Sequence, residues 1–178
     1  MSLFASINLI CTQAIVGDIP LKRILVAPTR RWEVILSKTI AYSALAFFQS
    51  LFSLFLVEFL FEASFIGVFL DIFLAVFTIE FSGVCLGILF STISQSRLQA
   101  AQLFLFYFIL ALMIQMKIRF SFLLPLLPIE QGMDLIISIA YRGQSIFQNI
   151  DKMFNIFFVS FVCLGISLYW FQYKRREL

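Results

Sequence analysis

Ile72-Phe-Leu-Ala-Val-Phe-Thr-Ile-Glu80-Phe-Ser-Gly83-Val-Cys-Leu-Gly87-Ile-Leu-Phe-Ser91-Thr-Ile-Ser94 runs for 23 residues with a single charge. A helix crosses the hydrocarbon core of a bilayer in about 20 apolar residues, so this stretch is long enough to span. Its polar and small residues are not scattered. Glu80, Gly83, Gly87, Ser91 and Ser94 follow one another at helical spacing and share one face. Small residues let two helices approach closely in a membrane, although one Gly-x-x-x-Gly is common in such helices. An acid inside a span faces a bundle interior or a cavity. Two readings of Glu80 stand side by side: a cation or proton site, or an acid that is simply protonated or hydrogen-bonded to a neighbouring Ser or Gln.

Three further runs are uncharged: Thr39 to Val57, Leu98 to Met116 and Met153 to Tyr173, of 19, 19 and 21 residues. The spacing predicts four spans, over 39–62, 72–94, 98–116 and 153–173. The first carries Ser43, Ala46, Ser50 and Ser53 as a matching small-residue strip, with Gln49 beside it. Met1 to Val16 is too short to span and has no basic start or cleavage site of a signal peptide. It reads as the inner end of a helix. The whole chain of 178 residues agrees with lipid as the main solvent: 62% is hydrophobic, 13% charged, and 24 residues are Phe. Soluble domains carry about 45–50% apolar and about 25% charged residues. The fold class is therefore all-α, a single polytopic membrane bundle over 1–178.

Basic residues set the orientation. Lys22, Arg23, Arg30, Arg31, Lys38, Arg97, Lys174, Arg175 and Arg176, nine of the 13, fall at one set of span ends. Lys and Arg near span ends mark the cytoplasmic side, so the C-terminus is expected inside a cytoplasmic membrane. Two segments neither span nor read as plain loop. In 17–38, Asp18 can cap a helix whose first turn tolerates Pro20. Leu21, Ile24 and Leu25 share a face, Pro28 ends the turn, and Thr29 can cap a second helix leading into the first span. This is a short amphipathic helix, either a membrane-surface anchor or an element that docks a partner. On the outer side, 117–152 is broken by Pro125 and Pro128, and Met133, Ile136, Ile137 and Ala140 recur near helical spacing. A re-entrant or interfacial segment is predicted, with a surface helix as the other possibility.

Several chemistries are excluded. There is no His, and Cys11, Cys85 and Cys163 are far apart within apolar runs. Catalytic triads, the usual Cys/His metal spacings and a disulfide framework therefore have no material, and the cysteines read as small hydrophobes. No cofactor or metal is expected. A net charge of +3 suggests no nucleic-acid role. No glycine is followed by Lys, so a phosphate-binding loop is absent. Any uphill transport draws its energy from another subunit or an ion gradient.

Three stretches together resemble the membrane permease of type-2 ATP-binding-cassette (ABC) exporters. Asp18 to Lys38, with its leucine-rich turn, Ala27-Pro28 and basic residues, resembles the family's cytoplasmic segment. Gly87-Ile-Leu-Phe-Ser-Thr-Ile-Ser94, followed by Gln99 and Gln102, resembles a helix end and the turn after it. Leu127-Pro128 through Tyr141-Arg142 resembles the outer region. The match covers about residues 17–175.

The resemblance implies two permeases, identical or homologous, working with two cytoplasmic ABC ATPase subunits that bind the ATP, so that this chain is not itself an enzyme. It implies that Asp18, Leu21, Arg23, Ile24, Leu25, Pro28, Arg31 and Glu33 form the element that couples to the ATPase. The cargo of such an exporter is a drug, lipid or lipid-linked glycan. Family members usually have six helices, so the first and most of the second are expected to be missing here, through a misassigned start, a fragment or a second chain. The alternative function is a structural or assembly membrane subunit, or a permease fragment that does not transport.

Overall fold

In the computed structural model the described residues are 2–15, 31–61, 65–115 and 127–173. All elements among them are helical: α1 (Ser2–Thr12), α2 (Arg31–Phe61), α3 (Phe69–Ile93), α4 (Arg97–Gln115), α5 (Pro128–Ala140), a 3-10 turn (Ile146–Asn149) and α6 (Ile150–Tyr173). Three helices are long and apolar enough to cross a membrane, within Trp32–Phe59, Phe69–Ile93 and Ile146–Phe171, and Arg97–Met113 is a shorter apolar helix. The protein is therefore a helical membrane protein.

The helices overrun the uncharged stretches. α2 starts at Arg31 and runs through Glu33 and Lys38 into the first span, as expected of a second helix leading into it, although the uncharged run begins only at Thr39. α3 takes Asp71 into its first turn, and α6 takes Asp151. Charges mark where the chain meets water. They do not stop a helix whose N-terminal turn favours an acid. Between α3 and α4 the turn is set by its own side chains. The Gln99 N–H donates to Ser96 Oγ at 3.2 Å, and Gln99 Oε1 accepts from the Gln95 N–H at 2.8 Å. These satisfy amides that a helix start leaves without intrahelical partners.

α3 is the centre of the bundle. In its most apolar window 78% of residues are buried, against 17% for α2 and 28% for α6. α1, α2, α4, α5 and α6 all pack on it. A ladder of Phe73, Phe77 and Phe81, ring centroids 6.3 and 6.4 Å apart, runs down one side. Its upper rungs meet Phe47 of α2 edge-on at 5.2 and 5.9 Å, and Phe81 meets Phe157 of α6 at 5.8 Å. α6 runs parallel to α3. Asp71 Oδ2 accepts from the Ile146 N–H at 3.3 Å at one end, and the Ser167 hydroxyl donates to Thr92 Oγ1 at 3.3 Å at the other.

α5 lies antiparallel to α3. The Ile66 N–H donates to the Ala140 carbonyl at 3.0 Å just before α3 begins. Gly132 of α5 rests on the Ile79 side chain, ten residues into α3 and so roughly 15 Å along it. Leu127 and Ile129 are further along, clustered with Cys85 and Leu86 of α3, Ala111 of α4 and Leu164 of α6. The buried face of α5 is Ile129, Gly132, Leu135, Ser138 and Ile139, together with Ala140, the one fully buried member of the predicted set. Met133 and Ile136 are only half-buried and Ile137 is exposed, so the face predicted from apolar spacing is rotated by about one position. Gly132 and Ser138 are the reason: small residues carry this contact, and hydrophobicity does not mark them.

At the α5 end, a Cβ added to Gly67 would run into the Ile139 carbonyl oxygen, whereas one added to Gly165 of α6 meets nothing within 4 Å. Gly67→Ala is expected to destabilise the protein by roughly 1–3 kcal/mol, the usual cost of overpacking. Gly165→Ala is expected to cost nothing. Unfolding midpoints in a denaturing-detergent titration separate the two.

Candidate functional site

The predicted coupling residues Asp18, Leu21, Arg23, Ile24, Leu25 and Pro28 lie outside the described residues. Residues 116–126 and the basic end after Tyr173, 174–178, do so as well. Arg31 is the first residue of α2, and Glu33 sits in its first turn with an exposed side chain. These two residues are thus joined to the span without a break in the helix. That continuity follows from good helix formers and the absence of Gly or Pro over Arg31–Phe61.

The intramembrane residues form one seam. Glu80, Gly83, Gly87 and Ser91 are all buried on α3. α1 covers the Gly87–Ser91 part of this stripe. A Cβ on Gly87 would lie 2.5 Å from Cys11 Cβ and 2.8 Å from the Asn8 carbonyl oxygen, so only glycine permits the approach. One turn further on, the Ile15 N–H, just past the end of α1, donates to Ser91 Oγ at 2.9 Å. The step from residue 11 to 15 on one strand of the seam matches the step from 87 to 91 on the other. α1 and α3 are therefore parallel, in register. The Gln13 side chain adds a bond to the Arg97 carbonyl at 3.4 Å, fixing the end of α1 to the start of α4.

α2 closes the third side. Ala46 is fully buried in one apolar cluster with Ile7 and Cys11 of α1 and Val84 and Ile88 of α3. Gln49 Nε2 donates to Ser6 Oγ at 2.6 Å. The small-residue strip of α2 is thus shared with α1 rather than laid wholly on α3. Ser50 and Ser53 bond back to the Phe47 and Gln49 carbonyls of their own helix. Such back-bonding satisfies a hydroxyl within an apolar bundle.

Two polar side chains on this seam have no partner among the described residues. Glu80 is 1% exposed, and neither carboxyl oxygen is hydrogen-bonded. Asn8 is 0% exposed, and both ends of its carboxamide are likewise unbonded. The Ser43 hydroxyl of α2 is a third such group. A neighbouring Ser or Gln does not satisfy Glu80 here, which removes the simplest form of the hydrogen-bonded reading for the described residues. Asn8 was not singled out from the sequence, because it sits in a helix too short to span. Its signal is there nonetheless: a lone carboxamide in Ile7-Asn8-Leu9-Ile10 is costly unless buried against protein.

The cysteines are buried and free, and no group of three or more His, Cys, Asp or Glu able to hold a metal occurs among the described residues.

The Gly87→Ala variant is expected to lift α1 from α3. Cys11, fully buried in the wild-type protein, then becomes reactive toward a membrane-permeant maleimide, with a stability loss of about 1–3 kcal/mol. Mass spectrometry of the labelled peptide reads the change. No protein-family model and no curated protein matches the chain.

Proposed function

We propose that this chain is the permease subunit of an ATP-driven ABC exporter of the type-2 class. It moves a hydrophobic or amphipathic substrate, a drug, lipid or lipid-linked glycan, across the cytoplasmic membrane. In this reading the four spans are α2, α3, α4 and α6, the C-terminus is cytoplasmic, and 17–38 docks a separate ABC ATPase. A second permease completes the transporter. α5, whose Leu127 end lies deep along α3 while Ala140 reaches the loop before it, is the rising arm of a re-entrant segment at the outer side.

The observation that carries the reading is the unbroken helix from Arg31 to Phe61. A docking element helps a transporter only if its displacement reaches the membrane. A helix of 31 residues, roughly 46 Å long, transmits a tilt from one end to the other. Closure of the ATPase pair would thus swing α2 against α1 and α3, at the seam held by Ala46 and Gln49. The outward face of α2, with Phe48, Phe52, Phe55 and Phe59 exposed, meets lipid or the second permease.

The test is co-purification of a cytoplasmic phosphate-loop ATPase with the tagged full chain from native membranes. Leu25→Glu and Arg31→Glu are expected to cut its recovery about tenfold, the effect of about 1.4 kcal/mol in binding. Equal recovery with residues 17–38 deleted rejects the coupling role. Absence of any ATPase from the wild-type preparation favours the assembly-subunit alternative.

A further inference from the structure

We infer that Glu80 and Asn8 form one proton-binding site within the bundle, the Glu80 carboxyl held as the neutral acid and joined to the Asn8 carboxamide through a single water. The inference does not rest on the permease reading, and its test needs neither ATP nor substrate.

The register of the seam supplies the geometry. Cys11 opposes Gly87 and Ile15 opposes Ser91, so Asn8 opposes Val84, one turn from Glu80. The backbone positions are offset along the axis by roughly 6 Å at the helical rise, an offset that the two side chains and one bridging water can close. The two residues lie on the two helices that meet at this seam, and both are more than nine-tenths buried with every side-chain polar atom unbonded among the described residues. Leaving such groups unbonded costs about 1–3 kcal/mol apiece. Buried waters typically settle where polar groups of this kind face one another.

The charge state follows from the surroundings. No described cation comes within ion-pair distance of Glu80. α1 carries no charged residue, and α4 brings only Arg97, at the end that meets Gln13. On α2, Arg31, Glu33 and Lys38 lie toward one end and Glu58 toward the other. α5 contributes Glu130 and Asp134; α6 contributes Asp151 and Lys152, and Lys152 is turned to Asp134 at 3.9 Å. The remaining titratable groups on these elements and on α3 are Asp71, the three thiols, and phenols such as Tyr42 and Tyr107. An isolated carboxylate in apolar surroundings takes up a proton instead of remaining charged. As an acid, Glu80 donates its hydroxyl to the water, and the water donates to Asn8 Oδ1.

Infrared spectroscopy of the full chain in lipid bilayers at neutral pH tests this. The wild-type protein is expected to show a protonated carboxyl C=O band that Glu80→Gln removes and Glu130→Gln leaves in place. Asn8→Val is expected to move that band to higher frequency, because the acid loses its hydrogen-bonded chain. Glu80→Asp, which keeps the acid, guards against a Gln variant that fails to fold: it must retain a band. If Glu80→Gln instead removes a carboxylate band, or no acid band exists in the wild type, the proton site is wrong. An Asn8→Val band at the wild-type position overturns the pairing.

Discussion

Close approach of α1 to α3 at Gly87 is the contact on which the arrangement of this bundle depends. Between helices in lipid there is no water to expel, so association rests on surface fit and on satisfied polar groups. Removing every side-chain atom at position 87 brings the backbone of α1 against α3. That proximity in turn places the Ile15 amide on Ser91 and gives Ala46 of α2 a floor of Ile7 and Cys11. With α1 and α2 on one side and α5 and α6 on the other, α3 has almost no face left for lipid. It can therefore carry Glu80, Ser82, Ser91 and Thr92 in buried positions where a lipid-facing helix could not.

Much of this was legible in the residues. Apolar length located the long helices, and helical spacing put Glu80, Gly83, Gly87 and Ser91 on one buried face. Element ends were legible only to within a turn or two, because a charge reports the water boundary while a helix ends where its backbone bonding ends. Asp71 and Asp151 show the difference. What covers the small-residue face was not legible. The strip over Ser43–Ser53 was the obvious counterpart, yet α1, short and unpromising, took most of the contact. The face of α5 was read only in part, with Ala140 buried and Ile136 packed at the edge of the core, because its close contact is made by Gly132, which has no side chain for a hydropathy pattern to register.

The phenylalanines show where composition stops being informative. Phe73, Phe77 and Phe81 join α3 to its neighbours through ring contacts, while Phe48, Phe52, Phe55 and Phe59 on α2 are exposed at the bundle surface. The residue type and its roughly helical recurrence are the same on both helices. Only the neighbours differ, and these are set by the small residues that decide which helices can come close.

The partnership of α1 with α3 also bears on the order of synthesis. Cys11 and Gly87 are separated by 76 positions, which a ribosome adding about 5–20 residues per second needs roughly 4–15 s to cover. Through that interval α1 and its Asn8 exist without the helix that buries them. The Asn8 carboxamide is thus made well before the glycine that lets α3 close over α1, and the seam can form only once α3 has been added.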